Sequence, residues 1–240
     1  MEAKERILVA IDTDDIGKIS HWAKTLGPHV GGFKIGLEAL MAVGLKDALN
    51  AMRGYGPAAD NVFVDVKAHD IPETIRKAVR AVVKHSQVKF VNVHCSAYED
   101  GLRAAVEAKG RAKVLGVTVL TSFDEDDCRA VYGAGVQMTV AKFVASARDA
   151  GADGIICSPK EAEWLSPQQS LRHLLYVTPG VRPRWSAKDD QERVTTPAEA
   201  VKNGSTYLVI GRPILEAQKY GRTPAGAAGE IADEIAAALR

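Results

Sequence analysis

Short apolar runs alternate with longer segments of helical periodicity along the whole chain. Most of these runs are continuously apolar rather than strictly alternating, which is typical of parallel strands covered on both faces. Eight such runs occur, at residues 6–12, 31–36, 61–67, 90–96, 113–121, 154–158, 174–181 and 206–212. We therefore predict eight parallel β-strands.

The segments between the runs have the patterns of amphipathic helices. In residues 72–83, one helical face collects four β-branched residues, Ile75, Val79, Val82 and Val83. Three hydroxyl residues each stand three positions before a glutamate, which is the pattern of a capping box. They predict helix starts at Ser122, Ser158 and Thr196.

Eight strand–helix units in 240 residues, with no long linker, predict an α/β protein with one (β/α)8 TIM barrel. We expect residues 1–240 to form a single domain. A doubly wound sheet is the alternative, but the even spacing of the strands favours closure into a barrel. Active sites of such barrels lie at the C-terminal ends of the strands.

Polar residues stand at most of these strand ends and predict a pocket there. They are Asp12, Lys34, Asp65, Lys67, His94, Thr118, Thr121, Ser122, Arg182 and Arg212. His69 and His94 have two interpretations, as acid–base groups or as hydrogen-bonded structural residues.

Composition excludes several classes of partner. The formal net charge is +1 and there is no run of basic residues, so nucleic acid is not expected as a partner. Three cysteines without CxxC spacing argue against a disulfide framework and a structural zinc site. No apolar segment is long enough for a membrane span or a signal peptide, so we expect a cytoplasmic protein.

A phosphate site is predicted after the last two strands. Gly211 allows close approach of a ligand to the backbone, and Arg212 offers a fork of donors. Arg182 and Gln191 follow the preceding strand as further donors. The alternative is that these residues are only turn glycines and surface arginines.

Charged residues of the second and third strands form the other half of the predicted pocket. Asp65 and Lys67 are two apart on a strand and should share a face, with Lys34 on the strand before them. A structural ion-pair network is the plain interpretation, but a phosphate site on the same rim favours catalysis. Ammonium groups repel Mg²⁺, so we predict no metal.

The segment DVKAHDIPET at residues 65–74, with Lys34 in FKIG, resembles the DxKxxDIP signature of the orotidine 5′-phosphate decarboxylase family. VAID, VTVLTS, TPGVRP, DDQERV and VIGRPI follow the order of that family's segments. The resemblance implies decarboxylation of orotidine 5′-phosphate to UMP and CO₂, the last step of de novo pyrimidine nucleotide synthesis. It also implies that neither metal nor cofactor takes part.

The resemblance further implies a role for each matching residue. Lys67 would protonate C6 of the pyrimidine, and Asp65 would lie beside the substrate carboxylate. Asp12 and Lys34 would hold the ribose, and Thr121 the pyrimidine edge. The phosphate would be held by Gln191, Gly211 and Arg212, with Arg182 at its rim. Asp70, Ile71 and Thr74 would complete the site of the other subunit, which implies a homodimer.

Two other functions stay open on the sequence. Keto-gulonate-phosphate decarboxylases and hexulose-phosphate synthases share DxKxxD, but they use Mg²⁺ and have an acid near the position of Lys34. A barrel that binds a phosphate ligand without turnover is the other possibility, and the intact set of Lys34, Asp65, Lys67 and Asp70 argues against it.

Overall fold

The computed structural model describes residues 1–186 and 195–240 and contains a closed barrel of eight parallel strands. The strands are β1 Ile7–Ile11, β2 Gly32–Ile35, β3 Val62–Ala68, β4 Val88–His94, β5 Lys113–Val117, β6 Gly154–Ile156, β7 Leu175–Thr178 and β8 Tyr207–Ile210. Each strand pairs with its neighbour in sequence, and β8 pairs with β1. The predicted barrel is confirmed, and the doubly wound alternative is wrong because the sheet closes. The single domain over residues 1–240 stays a prediction.

The described helices lie between successive strands and after β8. They are α1 Ile16–Leu26, α2 Leu37–Ala42, α3 Leu45–Met52, α4 Pro72–Val83, α5 Tyr98–Ala108, α6 Glu125–Tyr132, α7 Val136–Asp149, α8 Pro159–Leu165, α9 Pro197–Lys202, α10 Arg212–Leu215 and α11 Pro224–Ala238. Helix α4 has the predicted bounds. Its residues Ile75 and Val79 are buried, and Val82 and Val83 pack partly buried against the core.

The inside of the barrel is closed below the strand ends by a layer of large apolar side chains. This interior cluster consists of Leu8, Phe63, Phe90, Leu115, Val177 and Val209. The rings of Phe63 and Phe90 meet edge to face, with centroids 6.3 Å apart. Since side chains alternate along a strand, Asp65 and Asn92 lie one step above these two rings, toward the C-terminal ends. The interior cluster is therefore the floor of the pocket at the strand ends.

Two of the three predicted capping boxes are present. Ser158 and Glu161 cap α8 reciprocally, and Thr196 and Glu199 do the same for α9. The prediction for Ser122 is wrong, because α6 begins at Glu125 and is capped by Asp124 together with Asp127. Strand β5 also ends at Val117 rather than at residue 121, so Ser122 lies within the connecting loop. An Asp is as good an N-cap as a Ser, and the acidic cluster offers one closer to the helix.

Candidate active site

Lys34, Asp65 and Lys67 form a continuous array of charges with Asp12 at the C-terminal ends of β1, β2 and β3. The Nζ of Lys34 lies 3.1 Å from Oδ2 of Asp65 and 3.3 Å from Oδ2 of Asp12. The Nζ of Lys67 lies 2.8 Å from Oδ1 of Asp65. Asp65 therefore contacts an ammonium group through each of its carboxylate oxygens.

Asp65 is ionised although it is buried. Burial by itself raises the pKa of a carboxyl group, because it disfavours the charged form. Here the attraction of Lys34 and Lys67, with hydrogen bonds from Lys67 and Asn92, outweighs burial and lowers the pKa of Asp65 below its ordinary value. The fold thus holds a carboxylate between two ammonium groups before any ligand binds.

The backbone at Lys67 departs from a regular strand. Its φ is +48°, in the left-handed region that residues other than glycine rarely adopt. The pairing of β3 with β4 shifts register between Val64 and Ala68, which marks a bulge. Bulges near active sites change the direction of a side chain. Lys67 and Asp65 are in contact as predicted. The prediction assumed a regular strand in which residues two apart share a face, whereas the structure has a bulge between them and β4.

Two residues of the site have no role in the sequence-based prediction. Asn92 of β4 is fully buried and donates from Nδ2 to Oδ1 of Asp65 at 2.7 Å. A Cβ added to Gly36 would lie 2.0 Å from Oδ1 of Asp12 and 2.9 Å from Nζ of Lys34. Glycine at position 36 therefore leaves the room that the pair of Asp12 and Lys34 occupies. Phe90, Asn92 and His94 alternate along β4 and so point to the same side of the strand. This spacing in the sequence could have indicated that Asn92 faces the pocket with His94.

His94 is a buried, hydrogen-bonded residue, which is one of its two predicted interpretations. Its Nδ1 lies 2.7 Å from Oγ of Ser96, and the same Oγ lies 3.1 Å from Nε2 of His69. Burial, assisted by His69 and Lys67, lowers the pKa of His94 to about 4. His94 is therefore neutral at pH 7, and His69 is exposed.

A cavity of about 290 Å³ opens on the other side of Asp12, between the ends of β1, β7 and β8. Its lining includes Asp12, Gly180, Arg182, Gly211 and Arg212. Arg182 is buried and Arg212 is exposed. Within residues 1–186 and 195–240, neither guanidinium forms an ion pair. Two uncompensated cations beside glycine backbone make this cavity suited to an anion.

A second cavity, of about 380 Å³, adjoins the first at Gly180. Thr121 is exposed and lines it together with Ser158 and Lys160. Thr118, another predicted polar strand end, is buried and donates to the carbonyl oxygen of Ile156 at 2.8 Å. Gln191, a predicted phosphate ligand, lies outside the described residues.

Asp70, Ile71 and Thr74 do not join the array within one chain. All three are exposed, and the backbone N–H of Ile71 donates to Oδ1 of Asp70 at 2.7 Å. Other large apolar side chains are also exposed just after the ends of β1, β2 and β4, namely Ile16, Leu37, Met41 and Tyr98. Apolar side chains are therefore among those that face water around the array.

The sequence matches the model of the "Orotidine 5'-phosphate decarboxylase / HUMPS family" over residues 5–225. The chain belongs to this family. A Rhodopseudomonas palustris protein named orotidine 5′-phosphate decarboxylase is 41% identical over 98% of this chain and 95% of its own length. A protein of the same name from Geobacter sulfurreducens is also 41% identical, over 98% of each chain.

Solved structures of proteins with this name are similar to the chain in fold. The orotidine 5′-phosphate decarboxylase of Lactobacillus acidophilus is 29% identical and superposes with a TM-score of 0.79, over 95% of this chain and 98% of that one. The decarboxylase of Pyrococcus horikoshii, 21% identical with a TM-score of 0.72, covers 96% of this chain and 99% of its own and shares the fold.

In the described part of the chain, no group of three or more His, Cys, Asp or Glu side chains is arranged to hold a metal ion. Nor does any helix there have the length and apolar character needed to cross a membrane.

The lowered pKa of His94 predicts a specific pH dependence of stability. Between the unfolded value of 6.5 and the folded value of about 4, the unfolded chain binds a proton at His94 and the folded chain does not. Stability contributed by this group is therefore lost as pH falls through that window. We expect His94→Gln to lose less unfolding free energy than the wild type between about pH 7.5 and about pH 4.5, measured by urea titration. Equal losses in the two proteins would contradict the assignment.

Proposed function

We propose that this chain decarboxylates orotidine 5′-phosphate to UMP and CO₂, without metal or cofactor, as the last step of de novo pyrimidine nucleotide synthesis. One observation above all supports the proposal. It is the ionised Asp65 held 3.1 Å from Lys34 and 2.8 Å from Lys67, in a member of this family. The names of the relatives at 41% identity point to the same reaction.

Lys67 is the proposed proton donor. When the bond between C6 and the carboxylate breaks, its electron pair stays on C6 and CO₂ leaves. The ammonium group of Lys67 stabilises this developing negative charge and then transfers a proton to C6, leaving a neutral amine and UMP. Charge that is already oriented toward the reacting atom is usually a large part of catalysis.

Asp65 has two proposed tasks. It keeps Lys67 charged and oriented through the contact of 2.8 Å. It also lies beside the substrate carboxylate, and the repulsion between the two anions disappears as CO₂ forms. Such repulsion raises the energy of the bound substrate relative to the transition state.

The two cavities are proposed to hold the rest of the substrate. Arg182, Gly211 and Arg212 bind the phosphate in the cavity of about 290 Å³, with Gln191 as a further predicted ligand. Asp12 lines this cavity and also contacts Lys34, so this pair is suited to hold the ribose between the phosphate and the array. Thr121 is the proposed contact for the pyrimidine edge.

A homodimer completes the proposed site. Asp70, Ile71 and Thr74 are exposed at the end of β3, where a second copy can receive them. The exposed Ile16, Leu37, Met41 and Tyr98 around the same rim provide apolar surface for such an interface. The proposal includes a cytoplasmic location, as predicted from the sequence.

The position of Lys34 supports a reaction that needs no metal ion. Lys34 contacts both Asp12 and Asp65, so the carboxylates nearest the reacting carbon already have a cation between them. The keto-gulonate-phosphate decarboxylases and hexulose-phosphate synthases, which use Mg²⁺, have an acid near the position of Lys34, and this chain has a lysine there.

Turnover in the presence of EDTA tests the reaction itself. We expect purified protein to convert orotidine 5′-phosphate to UMP at the same rate with and without EDTA, followed by substrate absorbance. No conversion, with Mg²⁺-dependent activity on a hexulose phosphate, would move the protein to the other branch. Binding of UMP without any turnover would support a binding barrel instead.

Replacement of Lys67 tests the proton donor. We expect Lys67→Ala to lower kcat by more than about 10⁴-fold, because it removes both the proton and the charge at C6. Lys77→Ala is the control, since Lys77 is an exposed lysine of α4 that pairs only with Glu73 among the described residues. Circular dichroism and size-exclusion chromatography check that both variants stay folded. If Lys67→Ala had a kcat within tenfold of the wild type, Lys67 would not be the proton donor.

Replacement of Arg212 tests the phosphate site. We expect Arg212→Ala to lower kcat/KM for orotidine 5′-phosphate by about 10- to 100-fold, the value of a hydrogen bond to a charged group. Turnover of orotidine, which lacks the phosphate, should not change. Arg172→Ala, at an exposed arginine before β7, is the matched control. An equal loss with both substrates would show that Arg212 acts elsewhere than on the phosphate.

A further inference from the structure

Asn92 connects two members of the charge array by both of its polar atoms. Its Nδ2 donates to Oδ1 of Asp65 at 2.7 Å, and its Oδ1 accepts from the backbone N–H of Lys67 at 2.7 Å. The same Oδ1 of Asp65 accepts from Nζ of Lys67 at 2.8 Å. The three hydrogen bonds close a ring that contains the backbone and the side chain of Lys67.

The ring stabilises an unfavourable backbone conformation. Lys67 has a φ of +48° within a bulge, where β3 and β4 are out of register. A buried backbone N–H without a partner destabilises a fold, and the ladder to β4 does not provide one here. The side chain of Asn92 takes the place of that missing ladder partner. Left-handed residues other than glycine persist only where their surroundings impose the conformation.

The chemistry of the ring requires an amide at position 92. A donor must face Asp65 and an acceptor must face the N–H of Lys67, and an amide offers both at this spacing. A carboxylate would place a second negative charge against Asp65, and an aliphatic side chain would leave both groups without a partner. Asn92 is fully buried, one step above Phe90, so water does not readily replace it.

We propose that Asn92 is a positioning residue that fixes the bulge at Lys67 and the orientation of the Asp65 carboxylate, so that the ammonium group of Lys67 is directed at the reacting carbon. This inference rests on the proposed function. Asn92 acts through Lys67 and Asp65 and takes no part in holding the phosphate or the ribose. Small errors in the position of a reacting group cost about 10²-fold in rate.

The test compares two buried amides of the same strand region. Asn92→Leu should lower kcat by about 10²-fold and change KM by less than about threefold. Gln87 precedes β4 at its N-terminal end, is buried, and donates to the carbonyl oxygens of Leu49 and Ala59 at 3.1 Å and 3.0 Å. Gln87→Leu should lower the urea midpoint and leave kcat unchanged.

A pH profile separates positioning from a loss of stability. Without Asn92, Asp65 loses a hydrogen bond that favours its ionised form, so the acid limb of the kcat profile should move to higher pH in Asn92→Leu. It should not move in Gln87→Leu. Asn92→Ser, which cannot span both partners, should show the same shift and replaces the leucine variant should that variant fail to fold.

Two outcomes would overturn the inference. One is a kcat of the Asn92 variants within threefold of the wild type, and the other is a loss of kcat with an unmoved acid limb. A wild type without turnover of orotidine 5′-phosphate would refute the proposed function by itself. In that case the crystal structure of Asn92→Leu tests whether Asn92 fixes the backbone of Lys67. We expect Lys67 to leave the left-handed region in this variant. A φ that stays near +48° would show that Asn92 does not fix it.

Discussion

The contact of Asp65 with two lysines is the interaction on which the rest of the site depends. Two ammonium groups and a carboxylate are brought together above an apolar floor, where either of the two buried charges, Lys34 or Asp65, would be strongly destabilising alone. Their pairing makes burial possible, and burial in turn excludes water and fixes their geometry. The surrounding structure serves this arrangement, through the room left by Gly36, the bulge of β3 and the buried amide of Asn92.

The barrel separates this array from the region suited to an anion while keeping both on one face. Strands β1 to β4 provide the charges and the amide, and the segments after β7 and β8 provide the glycines and arginines. Asp12 belongs to both regions, since it contacts Lys34 and also lines the cavity with Arg182 and Arg212. A substrate with a phosphate at one end and its reacting carbon at the other fits this separation. Binding energy from the phosphate can then hold the reacting end in place.

Features set by local sequence patterns were predictable. The eight apolar runs correspond to the eight strands, and α4 has the predicted bounds because its apolar residues repeat with helical period. The proximity of Lys34 and Asp65 follows from their positions on neighbouring parallel strands. The cap at Ser122 was not predictable in this way, since Asp124 competes for the same role two residues later. The bulge at Lys67 depends on a side chain from another strand, so no pattern within β3 reveals it.

A crystal structure of the protein with UMP is the most direct test of this account. We expect the phosphate to lie between Arg182 and Arg212 and C6 of the pyrimidine to face Nζ of Lys67. The Asp70 carboxylate of a second copy should lie beside the array. UMP bound with its phosphate away from these arginines, or with C6 turned from Lys67, would contradict the account.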